Sequence, residues 1–213
     1  NDYLNERRRS MALTPVVLAL NASGLAVAQM IARALDAPLH GRTGRVVQAD
    51  AFFDNALDHA RDLFAAGVPI VGVCASGILI RAVAPLLSDK TQEPPVVSVA
   101  DDGSVVVPLL GGHRGANRLA RNIAEALDST AAVTTAGDVS LGVSLDEAPE
   151  GWALANPQDA KGAMVALLSG GGVALAGSEA SRAAWLADMP AGDAVRLSFD
   201  MMRQSDLGSH HLH

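Results

Sequence analysis

Cysteine is almost absent from this chain of 213 residues, where Cys74 stands alone. A single thiol excludes an internal disulfide framework and a cysteine-rich metal site. Aromatic residues make up only 3%, so any core is assembled from Ala, Val and Leu, a supply that suits helices layered on Val-rich strands. Lysine is scarce too: Lys90 and Lys161 face 14 arginines. The formal net charge is −7, which argues against a general binder of phosphate backbones. No uninterrupted apolar run reaches the roughly 18 residues that a membrane span needs. The opening Asn1–Ser10 carries Arg7, Arg8 and Arg9 but lacks the apolar stretch and cleavage site of a secretory signal. These absences predict a cytoplasmic protein with neither membrane nor nucleic acid as a partner.

What is present is apolar material, 49% of the chain, enough for one sizeable core or two small ones. Pro15–Leu20 is a continuous apolar run suited to a buried parallel strand. Leu25 to Leu35 follows at helical spacing, with Ser23 or Asn21 available as N-cap. A short strand at Val46-Val47, a helix from about Asp54 to Ala66 and a strand at Pro69–Val73 continue the alternation. A helix from Ser76 to about Leu87 leads to a hairpin, Val96–Val99 and Ser104–Val107, turning at Asp101-Asp102-Gly103. A helix over Ala116–Leu127 and a strand over Ala131–Thr135 complete this part.

Pro149-Glu150-Gly151 breaks the pattern, and a smaller set follows: a strand at 152–155, a helix at 157–168, Gly170-Gly171-Gly172, a strand at 173–176, a helix at 178–186 and a strand at 194–199. The reading is an α/β fold of layered, mostly parallel sheets with flanking helices, in two small lobes. Its divisions are a leader or upstream extension over 1–15, an α/β domain over 16–148, a smaller α/β unit over 149–204 and a polar linker over 205–213.

Chemistry-bearing residues concentrate at Leu109-Leu110-Gly111-Gly112-His113-Arg114-Gly115-Ala116-Asn117. A strand ends there, glycines let the backbone turn and approach a ligand closely, and a helix N-terminus opens that attracts anions. His113 suits general acid/base work near neutral pH, Arg114 suits a carboxylate clamp, and Asn117 suits a polar orienter. A plain turn with a capping histidine is the competing reading. No dinucleotide or Walker fingerprint occurs.

A second cluster surrounds Arg81, which interrupts an apolar helix where an unpaired charge is costly. It therefore reaches solvent at a cleft or pairs with a carboxylate; Asp89 and Lys90 lie just beyond. Gly72-Val73-Cys74-Ala75-Ser76-Gly77 fails the spacing of a nucleophile elbow, so Cys74 reads as a small buried residue. Thr134-Thr135-Ala136-Gly137-Asp138 is a strand end opening into a loop, a usual place for ligand contacts, or else a structural turn. His40 and His59 read as isolated surface positions. His210, His211 and His213 read as linker, and no metal site is expected.

Taken in order, these phrases resemble the cobalt-precorrin-5A hydrolase (CbiG) family of cobalamin biosynthesis. The matching stretches are Gly77-Ile78-x-x-Arg81-x-x-Ala84-Pro85-Leu86-Leu87-x-Asp89-Lys90, Pro95-Val96-Val97, Asp101-Asp102-Gly103, Leu109 to His113, Ala116-Asn117 and Val133 to Asp138. The likeness is strong over Val16 to Asp146 and looser to about Phe199. Two departures stand out. Gly115 is alone before Ala116-Asn117 where the hydrolases usually have two glycines, and the family's third domain does not occur within these residues. The shorter bend resembles the version fused to a precorrin-3B C17-methyltransferase.

The resemblance implies a corrin-ring substrate whose δ-lactone is opened by water, with a two-carbon fragment leaving as acetaldehyde. It implies His113 as acid/base, Asp89 or Asp138 as its orienter, and backbone amides near Gly112 and Gly115 as oxyanion donors. Arg81, Lys90 and Arg114 would anchor substrate carboxylates, with Asn117, Thr134 and Thr135 completing the binding set. No cofactor is expected in these residues; cobalt would be carried by the substrate, and S-adenosylmethionine would belong to a separate fused module. The expected partners are the corrin substrate and C-terminal domains of the same polypeptide, with self-association left open. The alternative is a non-catalytic corrinoid-binding or channelling module of the fused protein.

Overall fold

The structure, a computed structural model, describes residues 13–137, 145, 152–154, 156–177, 186, 189, 191–201 and 210–212. The chain forms two compact units, Asn1–Val133 and Thr134–His213. The expected leader, Asp138 and the helix expected at 178–186 fall wholly or largely outside the described residues.

The first unit begins with β1 (Val16–Ala19), followed by a 3-10 turn and α1 (Leu25–Leu35). Then come β2 (Leu39–Arg42), β3 (Ala51–Phe53), α2 (Ala56–Ala65), β4 (Ile70–Val73), α3 (Ser76–Val83) and β5 (Val96–Val99). β6 (Val105–Leu110), α4 (Ala116–Leu127) and β7 (Thr130–Ala131) complete it. The strands form one sheet in the order β3-β2-β1-β4-β5-β6-β7. β1 through β5 run parallel to their neighbours, whereas β6 runs antiparallel to β5. The expected α/β fold with a mostly parallel sheet is borne out.

Strand alternation explains the layering. In β1, Val17 and Ala19 point to one face while Val16, Leu18 and the following Leu20 point to the other. The first face packs on Ala28 and Ile31 of α1 and on Ala120 and Ile123 of α4. The second packs on Ala60 and Phe64 of α2 and on Leu79, Ala82 and Val83 of α3. Because both faces of a parallel sheet are covered, β1, β4 and β5 are buried along their whole length and read as unbroken apolar runs. Helix ends carry their own signals. Asn55 Oδ1 accepts from the amides of Leu57 and Asp58 at the start of α2. Asp36 and Asp128 close α1 and α4 in left-handed backbone conformation.

Several expectations are corrected. The strand expected at Val46-Val47 is absent; β2 and β3 flank that turn instead, with Val46 tucked inside and Val47 left 90% exposed. Leu39-His40-Gly41-Arg42 is a weak strand sequence, and pairing with β1 overrides that propensity. Helix α3 stops at Val83 and gives way to a 3-10 turn over Ala84–Leu86, because Pro85 lacks an amide proton and restricts the residue before it. Neither Asn21 nor Ser23 caps the helix beside it. Ser23 Oγ donates instead to Asp101 Oδ2 at 2.5 Å. The strand expected over 131–135 is only Thr130–Ala131.

Direction matters for the site. Strands β1 to β5 end together at one edge, the carboxyl edge. The hairpin turns at that edge, and β6 carries the chain back to the opposite, amino edge, where Leu110 lies across from Val96. Pro108 sits in β6 beyond the stretch that β7 pairs, where a missing amide proton is tolerated, and the register shifts beside it.

In the second unit, β8 (Trp152–Leu154), α5 (Pro157–Leu168), β9 (Val173–Ala176), β10 (Val195–Met201) and β11 (His210–Leu212) are described. The sheet order is β8-β11-β10-β9. Leu145, Ala160, Leu167, Val173, Leu186, Met189, Val195 and Leu197 are its core. Gly172 lies so close to Ala191 and Gly192 that any Cβ would collide with their backbone. The tail expected as linker contains β11, which lies between β8 and β10. Strand pairing uses backbone groups, so a polar His-His-Leu segment serves as well as an apolar one.

Candidate functional site

The glycine bend lies at the amino edge of the seven-stranded sheet, between the end of β6 and the start of α4. Gly111 adopts φ +79°, and a Cβ there would run into the backbone of Pro94 and Pro95, the residues that lead into β5. Only glycine accommodates both constraints. Gly112, His113 and Arg114 then form one 3-10 turn, and Gly115 at φ +96° starts α4. The chain thus reverses tightly, with the Arg114 and Ala116 amides donating to the Gly111 carbonyl. His113 is half-buried and Arg114 exposed on the turn, while space beside Gly112 is open.

A second segment meets this bend. The loop after α3 descends to the amino edge before entering β5, and it carries Asp89 to Gln92. Asp89 Oδ1 accepts from the Thr91 amide at 2.9 Å and from Thr91 Oγ1 at 2.7 Å. These two bonds hold its carboxyl below the usual carboxylate range, and the charge of nearby His113 adds to the effect. Arg114 Nη1 reaches the Gln92 carbonyl at 3.5 Å. Lys90 is exposed in the same loop. An anionic carboxylate, an imidazole and two cations from separate segments therefore collect at one edge. Such a set can move a proton at the imidazole while its cations hold an acidic ligand.

Other residues expected at the site lie differently. The Gly115 amide donates to the Gly112 carbonyl at 3.3 Å, so it is engaged within the turn and does not offer itself as an oxyanion donor. Asn117 is only 5% exposed in the first turn of α4, so its side chain lies within the protein. Arg81 sits on α3, where Nη1 donates to the Gly77 carbonyl at 3.0 Å. That residue lines a cavity at the carboxyl edge beside Leu20, across the sheet from His113. Thr134 and Thr135 are exposed and belong to the second unit. Asp138 lies outside the described residues.

Cys74 is buried and its thiol is pushed up to about 12, by burial first and by Asp101 second, so it is inert as a nucleophile at neutral pH. His40 and His59, expected as isolated surface residues, form a pair instead. His40 Nδ1 lies 2.9 Å from His59 Nε2, and the His59 ring stacks on Phe53 with centroids 4.7 Å apart. They are 19 positions apart in sequence, and only the adjacency of β2 to α2's side of the sheet brings them together. Among the described residues, no group of three or more His, Cys, Asp or Glu side chains is arranged to hold a metal ion, and no helix is long and apolar enough to cross a membrane.

The first unit is thus a doubly wound α/β domain with a glycine bend, an imidazole, a carboxylate and an arginine gathered at one edge. Residues 58–138, which contain α3, the Asp89 loop and the bend, match the family model for the cobalamin synthesis G N-terminal domain. That match covers the middle of the first unit, and over those residues the chain is similar to the CbiG N-terminal domain. It is 36% identical over 131 residues to the cobalt-precorrin-5A hydrolase of Salmonella typhimurium, covering 60% of this chain and 37% of that protein. It is 38% identical over 85 residues to the cobalt-precorrin-5A hydrolase of Priestia megaterium, covering 39% and 23%. The chain thus spans well under half the length of each of these relatives. A solved cobalamin biosynthesis protein G homolog from Sulfolobus solfataricus aligns with TM-score 0.46 and 18% identity over 95% of this chain and 61% of that one. Both curated relatives carry the hydrolase name, which leaves the methyltransferase-fused version of the resemblance without support.

Proposed function

We propose that this protein acts in cobalamin biosynthesis as a cobalt-precorrin-5A hydrolase, opening the δ-lactone of a corrin precursor with loss of acetaldehyde. The observation that carries this reading is that residues 58–138, which match the CbiG N-terminal domain, bring the glycine bend and the Asp89 loop to one sheet edge, where Arg114 reaches the Gln92 carbonyl. Opening a lactone with water needs a base for the water and donors for the tetrahedral oxyanion; the hydroxyl so freed then gives up its proton as the C–C bond breaks, acetaldehyde leaves, and the ring carbon left behind takes a proton from an acid. His113 serves as the acid/base, and Asp89, on the loop beside it, orients the imidazole. The Gly112 amide, on the open side of the turn, is the backbone donor to the oxyanion. Arg114 and Lys90 hold substrate carboxylates, and Asn117 positions the bend from inside.

The experiment is turnover of cobalt-precorrin-5A with acetaldehyde as the readout. His113→Ala is expected to lower kcat by about 100-fold or more while the far-UV spectrum stays unchanged. Asp89→Asn is expected to lower it less, about tenfold, because the imidazole remains. Binding without acetaldehyde release by the unaltered protein, or normal turnover by a folded His113→Ala variant, would overturn the assignment.

A further inference from the structure

At the carboxyl edge lies a cavity of about 400 Å³ that the proposed reaction does not use. Its apolar lining is Leu20, just past β1, with Leu57 at the start of α2 and Ile78 at the start of α3. Arg42 from the end of β2 and Arg81 from α3 line it as well. Among the described residues neither guanidinium is ion-paired to a carboxylate, whereas Arg61 is paired with Asp58 at 3.0 Å. Among the described residues, Arg81 makes one hydrogen bond, from Nη1 to the Gly77 carbonyl. Asp54 contributes one negative charge to the lining, which leaves an excess of one positive charge. Doubly wound sheets bind ligands outside the carboxyl ends of their strands, and this cavity spans that edge from β3 to β4.

We infer that this cavity is a binding site for a small carboxylate with an apolar body, gripped by Arg42 and Arg81 over a floor of Leu20, Leu57 and Ile78. The carboxylate class follows from the donors. Planar guanidinium groups match carboxylate oxygens in pairs, while the apolar floor gives no advantage to inorganic phosphate. Position follows from the topology. The site is across the sheet from His113, so it stands independently of the hydrolase reading.

The test uses 1-naphthoate as probe and amide chemical shifts of the isotopically labelled protein as readout. Titration is expected to move the amides of Leu20, Leu57 and Ile78 in a saturable way. Arg42→Gln and Arg81→Gln are each expected to weaken binding about tenfold, the scale of one charge-assisted hydrogen bond. The neutral analogue 1-naphthalenemethanol is expected to bind all three proteins alike. Equal naphthoate affinity in the double variant would overturn the proposal, as would shifts confined to other regions. Displacement of naphthoate by equimolar inorganic phosphate would also overturn it and assign a phosphate site instead. Both arginines are at the surface of the cavity, and thermal melts of the variants check that the fold is retained.

Discussion

At its amino edge the seven-stranded sheet presents a tight backbone turn carrying an imidazole, with a carboxylate brought in from a neighbouring loop. At its carboxyl edge it presents an apolar hollow flanked by two guanidinium groups. The first edge has groups able to exchange a proton, and its geometry rests on Gly111 in left-handed conformation against Pro94 and Pro95. The second has fixed cations and an apolar floor. The proposed reaction takes one edge and the proposed carboxylate ligand the other, with a single sheet between them.

The sharpest way to break this contrast is to disturb the bend. Gly111→Ala places a Cβ against Pro94 and Pro95 at a positive φ, and a loss of about 3 kcal/mol is expected in urea unfolding. Gly112→Ala, next to it but facing open space, is expected to stay within about 0.5 kcal/mol. Similar losses for both would mean the bend is not the constrained element described.

A smaller effect is expected at the paired histidines, neither of which lines the cavity. Burial lowers both imidazoles from the ordinary value of 6.5; His59 lowers His40 further, while Asp50 opposes the shift at His40 and Asp62 opposes it at His59. The unfolded chain then binds more protons than the folded one, so stability is present above pH 6.5 and declines as pH falls below it. His59→Gln is expected to flatten that decline in melting curves between pH 5 and 7. An unchanged slope would locate the pH sensitivity elsewhere.

The smallest effect is expected at Asp89, a fully exposed group. Removing the Thr91 hydroxyl by Thr91→Val is expected to raise the Asp89 carboxyl toward its ordinary value, because its largest lowering influence is lost. Carboxyl carbon shifts during an acid titration measure this directly. No movement would show that the turn does not set the charge of this carboxylate.

Much of the fold was legible because burial on two faces writes itself as apolar runs. Val16–Ala19, Ile70–Val73 and Val96–Val99 need no context to be recognised. Leu39–Arg42 was missed for the converse reason: a strand containing His and Gly is specified by its neighbour β1, not by its own side chains. The bend was visible because glycines cluster where a strand gives way to a helix, and Asp89 was singled out by its place in the resembling phrase. Their proximity was not readable from spacing, since it depends on β6 reversing direction. The same reversal separated Arg81 from His113, which the linear order had placed in one site. The histidine pair escaped notice because 19 positions of intervening chain conceal a contact made through the sheet.

That reversal has a consequence for how such a domain can evolve chemistry. In an all-parallel layout every helix would begin on the roof of the sheet and leave its floor to plain connecting loops. One hairpin turns α4 upside down, so that its positively polarised start faces the floor. A doubly wound scaffold thereby gains a second working surface without adding a domain.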